Sequence, residues 1–205
     1  MAVKLVRRAL LGAALTLASA GLALAATPVV MTTDLGVVAL ELNQDKAPVT
    51  VANFLRYVDE GRFDGATFYR VVRAGTDPNP KAPIQVIQGG IDSDAHRGQM
   101  LPPIAHETTA KTGLSHTDGV ISMARDGPGT ATSEFFITVG DNTSLDFGGA
   151  RNPDGQGYAA FGRVTKGMDV VRKIQAQPSD APPPVVFVKG QILERPVEIL
   201  MIRRK

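Results

Sequence analysis

The stretch at residues 119–139 places large apolar side chains on both faces of one short strand. Side chains alternate along a strand, so Phe135 and Ile137 fall on one face while Glu134 and Phe136 fall on the other. One phenylalanine therefore enters a core, and its neighbour is left on the opposite face. A large aromatic side chain there is covered either by a second layer of structure or by a bound molecule. The spacing alone favours neither alternative.

The same stretch divides into strand, loop and strand. Apolar runs at 120–123 and 135–139 flank Asp-Gly-Pro-Gly-Thr at 126–130. The middle segment is too rich in Gly and Pro for a regular element. It is therefore either an ordered surface loop or a disordered tip.

Other short strands and two helices are predicted along the chain. Residues 29–42 form a hairpin around Asp-Leu-Gly at 34–36, and 196–203 form a closing strand. Helical spacing follows Pro48, at Val51, Phe54, Leu55 and Val58, with Gly61 at the C-cap. A second short helix is predicted from Met168 to Ile174. Many short strands and only two helices favour a mainly β barrel.

Two strands bring a cation and an amide to matching faces. Alternation over 67–72 places Phe68, Arg70 and Val72 on one face, and over 85–89 it places Val86 and Gln88 on one face. Arg70 and Gln88 are expected to meet across adjacent strands.

Two loops carry further expectations. The loop at 77–83 contains three prolines and is expected to overhang the site, whereas 178–184 is predicted to be a rigid loop. His96, His106 and His116 fall in the mixed segment 91–118, which lacks a short metal-binding spacing. All three are predicted to lie in solvated loops, with no metal site.

The first 25 residues have the pattern of a secretory signal peptide. Lys4, Arg7 and Arg8 precede an apolar stretch, and Ala-Leu-Ala at 23–25 is a cleavage pattern. An uncleaved membrane anchor is the alternative, because residues 9–26 approach the length of a spanning helix. Cleavage after Ala25 would leave a single domain at 26–205, exported to the periplasm or secreted, with no stable membrane association.

The charge balance also argues against nucleic acid as a partner. The net charge is +2 from 22 basic and 20 acidic residues. Without the three basic residues of the leader, 19 basic face 20 acidic side chains, a balance of −1. A near-neutral domain without a basic run has no electrostatic footprint for nucleic acid.

The sequence contains no cysteine, so it can form neither a disulfide nor a thiolate metal site.

Three ordered motifs resemble the cyclophilin family of peptidyl-prolyl cis-trans isomerases, and the resemblance covers nearly everything after the first 26 residues. The motifs are Ser-Met-Ala at 122–124 with Gly-Pro at 127–128 and Ser-Glu-Phe-Phe-Ile at 133–137; Phe-Tyr-Arg-Val-Val at 68–72 with Gln-Gly-Gly at 88–90; and Phe-Gly-Arg-Val at 161–164 with Gly-Met-Asp-Val-Val at 167–171. The resemblance implies a closed eight-stranded antiparallel barrel capped by two α-helices. It is strongest to bacterial exported members.

The resemblance also implies a function, namely acceleration of rotation about X-Pro bonds in exported proteins during folding. Rotation requires breaking amide resonance, which costs about 18 to 20 kcal/mol. An apolar pocket for the proline ring and a fixed donor to the twisted amide would lower that barrier. No cofactor is implied, and the expected partners of a monomeric enzyme are unfolded or folding proline-containing polypeptides.

The resemblance assigns the roles of the site residues. Arg70 is the donor and Gln88 orients it or holds the substrate backbone. The remaining positions are implied to bind substrate: Val86, Phe136, Leu145 and Tyr158 as apolar walls, Ala124 and Arg125 through the backbone, and Glu134 at the groove.

Several positions depart from the best-studied relatives. Gln85 and Ser144 stand where aromatic residues are usual, Val86 where methionine is, and Glu134 where glutamine is, while Tyr158 replaces a histidine. Fewer aromatic walls reduce the apolar area around the proline ring. The alternative function is a non-catalytic or weakly catalytic peptide-binding or chaperone module on the same barrel, but the intact Arg70, Gln88 and Phe136 favour an enzyme.

Overall fold

Eight antiparallel strands close into a barrel in the computed structural model, which describes residues 26–91 and 97–205. The strands are β1 Thr27–Thr33, β2 Gly36–Leu42, β3 Ala66–Val72, β4 Val86–Gly90, β5 Val120–Met123, β6 Phe135–Thr138, β7 Ala159–Lys166 and β8 Ile192–Arg204. The helices are α1 Pro48–Asp59, α2 Thr109–Thr112 and α3 Met168–Gln175. The order around the barrel is β1-β2-β7-β5-β6-β4-β3-β8. The predicted barrel is confirmed, and the predicted signal peptide and His96 lie outside the described residues.

The chain closes the barrel with its last strand. β8 pairs with β1 along one edge and with β3 along the other, both antiparallel. The predicted hairpin of β1 and β2 is also confirmed, because Thr33 pairs with Gly36 across a two-residue turn. Gly36 has a φ of 142°, a conformation that side chains with a Cβ rarely adopt.

The two longer helices lie where apolar periodicity predicts them. Helix α1 ends in a Schellman motif, in which the N–H of Gly61 donates to Val58 O and that of Arg62 donates to Tyr57 O. Gly61 has a φ of 64°, as that position requires. Within the described ranges, no helix combines the length and apolarity needed to cross a membrane.

An aromatic cluster fills the core between α1 and the barrel. Phe54 of α1 lies 5.1 to 5.5 Å from the rings of Phe63, Phe135 and Phe161, measured between centroids. Phe68 of β3 packs edge-on against Phe135 at 5.7 Å. All five rings are at most 1% exposed. This packing fixes the inward face of β6 and so points its other face outwards.

A β-bulge in β3 changes which side chains face outwards. Phe68 pairs with Gly89 and Arg70 pairs with Gln88, so Tyr69 is an extra residue without its own partner on β4. Phe68 therefore enters the barrel core, whereas Arg70 faces out. The prediction that Phe68 shares a face with Arg70 is wrong, because the inserted residue breaks strict alternation between them.

Candidate functional site

A cavity of about 540 Å³ opens on the outer face of β3, β4 and β6. It is lined by all nine residues that the sequence predicted for the site: Arg70, Val86, Gln88, Ala124, Arg125, Glu134, Phe136, Leu145 and Tyr158. These residues come from three strands, β3, β4 and β6, and from the β5–β6 and β6–β7 connections. The closed barrel is what brings them together.

The floor of the cavity is a small apolar cluster separate from the barrel core. It consists of Val72, Ile84, Val86, Phe136 and Leu145, with Ala124 and Tyr158 packed against it. The ring of Tyr158 stands perpendicular to that of Phe136, with centroids 5.3 Å apart. Phe136 is only 5% exposed and yet borders the open cavity. Its outward face is therefore framed by neighbours and left accessible from one direction.

Arg70 is held rigidly at the edge of this floor. Its Nη1 donates to Oε1 of Gln88 at 2.8 Å, as predicted. Its Nε and Nη2 both donate to Oε1 of Gln191, at 2.9 and 2.6 Å. Among the described residues these bonds use three of the five guanidinium N–H groups, so two remain for a bound molecule. Burial lowers the pKa of Arg70, but its ordinary value is so high that the side chain stays charged.

Gln191 is a site residue that the sequence analysis missed. It is fully buried immediately before β8, and its Nε2 donates to the carbonyl oxygen of Thr76 at 2.7 Å. That bond fixes the amide so that its oxygen faces Arg70. No local signal reveals the contact, because 121 residues separate Gln191 from Arg70.

A second network fixes Gln88 from the other side. Gln88 Nε2 donates to Glu134 Oε2 at 2.9 Å and to the Tyr69 hydroxyl at 2.8 Å. The Tyr69 hydroxyl in turn donates to Glu134 Oε2 at 2.7 Å. Burial, with the Glu134 charge second, raises the pKa of Tyr69, so this hydroxyl remains a donor. Because Glu134 only accepts hydrogen bonds, it forces the Gln88 amide to turn its oxygen towards Arg70.

Arg125 lines the cavity, and hydrogen bonds fix the conformation of its side chain. Its Nε and Nη2 donate to Gly157 O at 2.9 and 2.6 Å, and Nη1 donates to Asp154 at 2.8 Å. The guanidinium carbon also lies 5.2 Å from the centroid of the Tyr158 ring, a cation–π distance. The neighbouring Ala124 N–H is bonded to the Glu134 carbonyl at 2.9 Å. The Ala124 N–H is therefore not available to a peptide, although the backbone of Ala124 was predicted to bind one.

His116 is buried beneath the cavity floor, so the prediction that it lies in a solvated loop is wrong. Its Nδ1 lies 2.6 Å from Asp146 Oδ1 and its Nε2 lies 2.9 Å from Ser122 Oγ. The ring stacks on Phe136, with centroids 5.8 Å apart. The order of groups resembles a nucleophilic triad, but both Ser122 and His116 are fully buried, so substrate does not reach them. The segment before β5 folds under β6 here, which its polar composition does not indicate.

The loop at 77–83 does not overhang the cavity as expected. Asp77 and Arg151 form a buried ion pair at 2.7 Å, with side chains 3% and 7% exposed. Asp77 also accepts the N–H groups of Asn79 and Ile84 at 3.0 and 2.8 Å. These bonds hold the loop beside the site, and only Ile84, which follows it, reaches the cavity.

The two positions that lack the usual aromatics contribute nothing to the cavity lining. Gln85 is exposed, and Ser144 lies on a 3₁₀ turn at Thr143–Leu145. Neither borders the cavity, whereas Leu145 does. Over residues 26–91 and 97–205, no three His, Asp or Glu side chains are arranged to hold a metal ion.

Comparisons with known proteins agree with this geometry. The family model for cyclophilin type peptidyl-prolyl cis-trans isomerases matches residues 28–201. A peptidyl-prolyl cis-trans isomerase of Acinetobacter baylyi is 38% identical over 184 residues, covering 89% of this chain and 88% of that protein. Peptidyl-prolyl cis-trans isomerase A of Dickeya dadantii is 38% identical over 178 residues, covering 82% and 86%. A cyclophilin-type isomerase of Cryptosporidium parvum superposes with a TM-score of 0.66 at 21% identity, covering 88% and 98%.

Proposed function

The chain belongs to the cyclophilin-type family of peptidyl-prolyl cis-trans isomerases, and on that premise we propose that its isomerase site is the outer cavity with Arg70 as the catalytic donor. The enzyme acts on proline-containing peptides, as its family does. The observation that carries the proposal is the fixed Arg70 guanidinium beside an apolar floor of the right kind for a proline ring.

The chemistry requires only stabilisation of a twisted amide. Rotation breaks the resonance of the X-Pro bond, which leaves a lone pair on the proline nitrogen. A charged donor with free N–H groups stabilises that nitrogen, and Arg70 has two that no described residue occupies. A turnover of about 1 to 10³ per second requires that the barrier fall by roughly 3 to 7 kcal/mol. One oriented donor removes about 2.7 to 4 kcal/mol of that, and exclusion of water around the ring contributes the rest.

The remaining site residues have supporting roles in this proposal. Phe136, Leu145 and Val86 receive the proline ring, because they form the apolar floor. Gln88 and Gln191 position Arg70 from opposite sides, and Glu134 positions Gln88. Rigid positioning matters because the donor must meet the nitrogen only when the amide is twisted.

No step in this mechanism moves a proton through a side chain. His116 and Ser122 are enclosed beneath Phe136. His106 does not line the cavity, and its Nε2 lies 3.2 Å from Gln156 O. Glu134 is engaged as an acceptor by Tyr69 and Gln88. These engagements support binding and electrostatics rather than acid–base catalysis.

We further propose that the substrates are exported proteins during their folding. The signal-peptide pattern of residues 1–25 supports export to the periplasm or the medium. The near-neutral balance of the remaining chain supports an enzyme that binds neither nucleic acid nor anionic membranes after cleavage.

Two experiments test these proposals separately. A protease-free isomerisation assay should show turnover that Arg70→Ala removes and that a matched Arg163→Ala keeps, since Arg163 is exposed on β7 and does not line the cavity. Equal activity of the two variants would place the donor elsewhere. For export, the full chain should be recovered outside the cytoplasm beginning at Ala26; a cytoplasmic protein that keeps Met1 would overturn that part alone.

A further inference from the structure

Three consecutive large apolar side chains stand in solvent next to the cavity. Val185, Val186 and Phe187 are 59%, 85% and 57% exposed. Within the described residues they are three of eight exposed large hydrophobic side chains, and elsewhere these occur singly or as one pair on β8. Such a concentration marks a surface that binds something.

The segment is a built turn with fixed backbone bonds. Residues Val186–Val188 form a 3₁₀ turn in which Val188 N donates to Val185 O and Lys189 N donates to Val186 O, both at 3.1 Å. The carbonyl of Gly190 accepts the Ser179 hydroxyl at 2.9 Å, which ties the turn to the far end of its loop. Three prolines at 182–184 precede it and restrict the backbone further. The apolar side chains are therefore held in solvent rather than free to collapse.

The turn is continuous with the isomerase cavity. Phe187 and Val188 line the same cavity as Arg70 and Phe136. Gln191, three residues after Val188, donates its N–H to Val188 O at 3.1 Å and holds Arg70 through its side chain. Residues 181–188 carry no charge. A peptide in the cavity that extends past Arg70 meets an uncharged, apolar ledge.

We propose that this turn, residues 185–188, is a binding subsite for an apolar side chain that flanks the proline of the substrate. The inference rests on the proposed function, since it takes the outer cavity as the isomerase site. The occupant is a residue of the same bound peptide, because the turn shares the cavity with the proline floor. The subsite makes the enzyme prefer prolines within hydrophobic sequence, which unfolded chains expose and native surfaces hide.

The test uses two series of short peptides in a protease-free isomerisation assay. One series places Leu or Ser directly after the proline, and the other places Leu or Ser two residues before it. The wild type should favour Leu at one of these positions by about tenfold in kcat/KM, the effect of burying roughly half to one large side chain. The preference should appear in KM, because the contact is the same in ground and transition states.

Phe187→Ser should reduce that preference to about twofold or less, because kcat/KM should fall more for the Leu peptides than for the Ser peptides. Val188→Thr should shift the preference in the same direction. Phe147→Ser is the matched control, because Phe147 is 48% exposed but does not line the cavity, and it should retain the full preference.

An intact Leu preference in Phe187→Ser would overturn the subsite. So would unchanged kinetics together with loss of concentration-dependent dimers or of vesicle binding, which would assign the turn to a second copy or to a lipid surface. Activity that survives Arg70→Ala would instead overturn the proposed site itself, so the two failures are distinguishable.

Discussion

Phe135 and Phe136 are neighbours on β6, but they belong to two different kinds of interior. Phe135 packs edge-on against three other aromatic rings inside the barrel. Phe136 packs against one aromatic neighbour, Tyr158, and the ring of His116, and it borders an open cavity. The inner face of the sheet is closed mainly by apolar and aromatic packing. The outer face leaves apolar surface available to substrate.

The outer face is therefore stabilised by polar contacts where the inner face uses apolar ones. The Arg70–Gln88–Glu134 network, the buried Asp77–Arg151 pair and the His116–Asp146 contact all border or underlie the cavity. Buried polar networks fix geometry more tightly than apolar contacts but are costly to leave half satisfied. Substitutions in the barrel should thus alter stability, whereas those in the networks should alter activity, stability or both according to which groups they leave unpaired.

The largest effect is expected from Arg70→Ala, which removes the donor from the outer face and leaves the core intact. We expect kcat/KM to fall by about 100-fold or more, the cost of losing one oriented donor to a transition state. The loss should fall on kcat, because the donor acts mainly on the twisted amide. Arg70→Lys should be nearly as inactive, since an ammonium group cannot hold both glutamines and still present free donors.

Isomerisation kinetics with circular dichroism as a folding control would check this prediction. The account is contradicted if kcat/KM of Arg70→Ala stays within about threefold of wild type while the spectrum is unchanged. Such a loss is smaller than the effect of one oriented donor, so the outer networks would not serve catalysis.

The next effect concerns stability on the outer face. Asp77→Asn should lower the free energy of unfolding by about 2 kcal/mol, because the Asp77–Arg151 pair is buried and its hydrogen bonds are charge-assisted. Burial raises the pKa of Asp77, but hydrogen bonds from Arg151 and from backbone N–H groups outweigh this effect. The pKa of Asp77 therefore lies below its ordinary value. A carboxyl group whose pKa is lower in the folded state stabilises the protein at every pH above its unfolded-state pKa of about 3.9. That contribution is lost as the pH falls through the lower, folded pKa.

Urea unfolding of wild type and Asp77→Asn at pH 7 and pH 3 would measure both effects, and the difference should shrink at pH 3. Asp59→Asn is the control, because its pair with Arg204 is about half exposed and should contribute less than about 1 kcal/mol. Equal losses in the two variants would mean that burial gives the Asp77 pair no special weight.

A smaller effect is expected where the chain departs from its relatives. Glu134→Gln should leave kcat/KM within about threefold of wild type. The amide oxygen of the new side chain can accept the same hydrogen bonds from Tyr69 and Gln88, and exchanging one hydrogen-bond acceptor for another costs little. Steady-state kinetics against Glu134→Leu, which cannot accept hydrogen bonds, would sharpen this. A large loss in Glu134→Gln alone would make the charge itself, rather than the acceptor, a working part of the site.

The smallest effect is that of pH on turnover. We expect kcat/KM to change less than about twofold from pH 6.5 to 8.5, because the mechanism moves no proton and Arg70 stays charged. Burial lowers the pKa of His106 below its ordinary value, and His106 does not line the cavity. A pH–rate profile with a midpoint near the ordinary histidine value of about 6.5 would contradict a mechanism that moves no proton.

Local sequence patterns predicted the parts of the site that depend on alternation. The split between Phe135 and Phe136 follows from strand periodicity, and so does the meeting of Arg70 with Gln88 across β3 and β4. The family resemblance then supplied the other predicted site residues, because Leu145 and Tyr158 lie in connections whose paths periodicity does not specify.

Three features depended on the tertiary path and were not predictable from local pattern. The bulge at Tyr69 inserts one residue and moves Phe68 to the opposite face from Arg70. Gln191 reaches Arg70 only because β8 closes the barrel beside β3. His116 is buried because its segment passes beneath β6, although its polar neighbours suggested a solvated loop.

The most direct test of the two-interior account compares Phe135→Leu with Phe136→Leu in the same two assays. We predict that Phe135→Leu lowers the free energy of unfolding by about 1 to 2 kcal/mol and leaves kcat/KM within about twofold once folded, since it changes only the core. Phe136→Leu should instead lower kcat/KM by about tenfold, because the ring that receives proline is lost, while costing less than about 1 kcal/mol of stability. If both variants lose activity and stability in the same proportion, the two faces of β6 are not functionally separate and the account is contradicted.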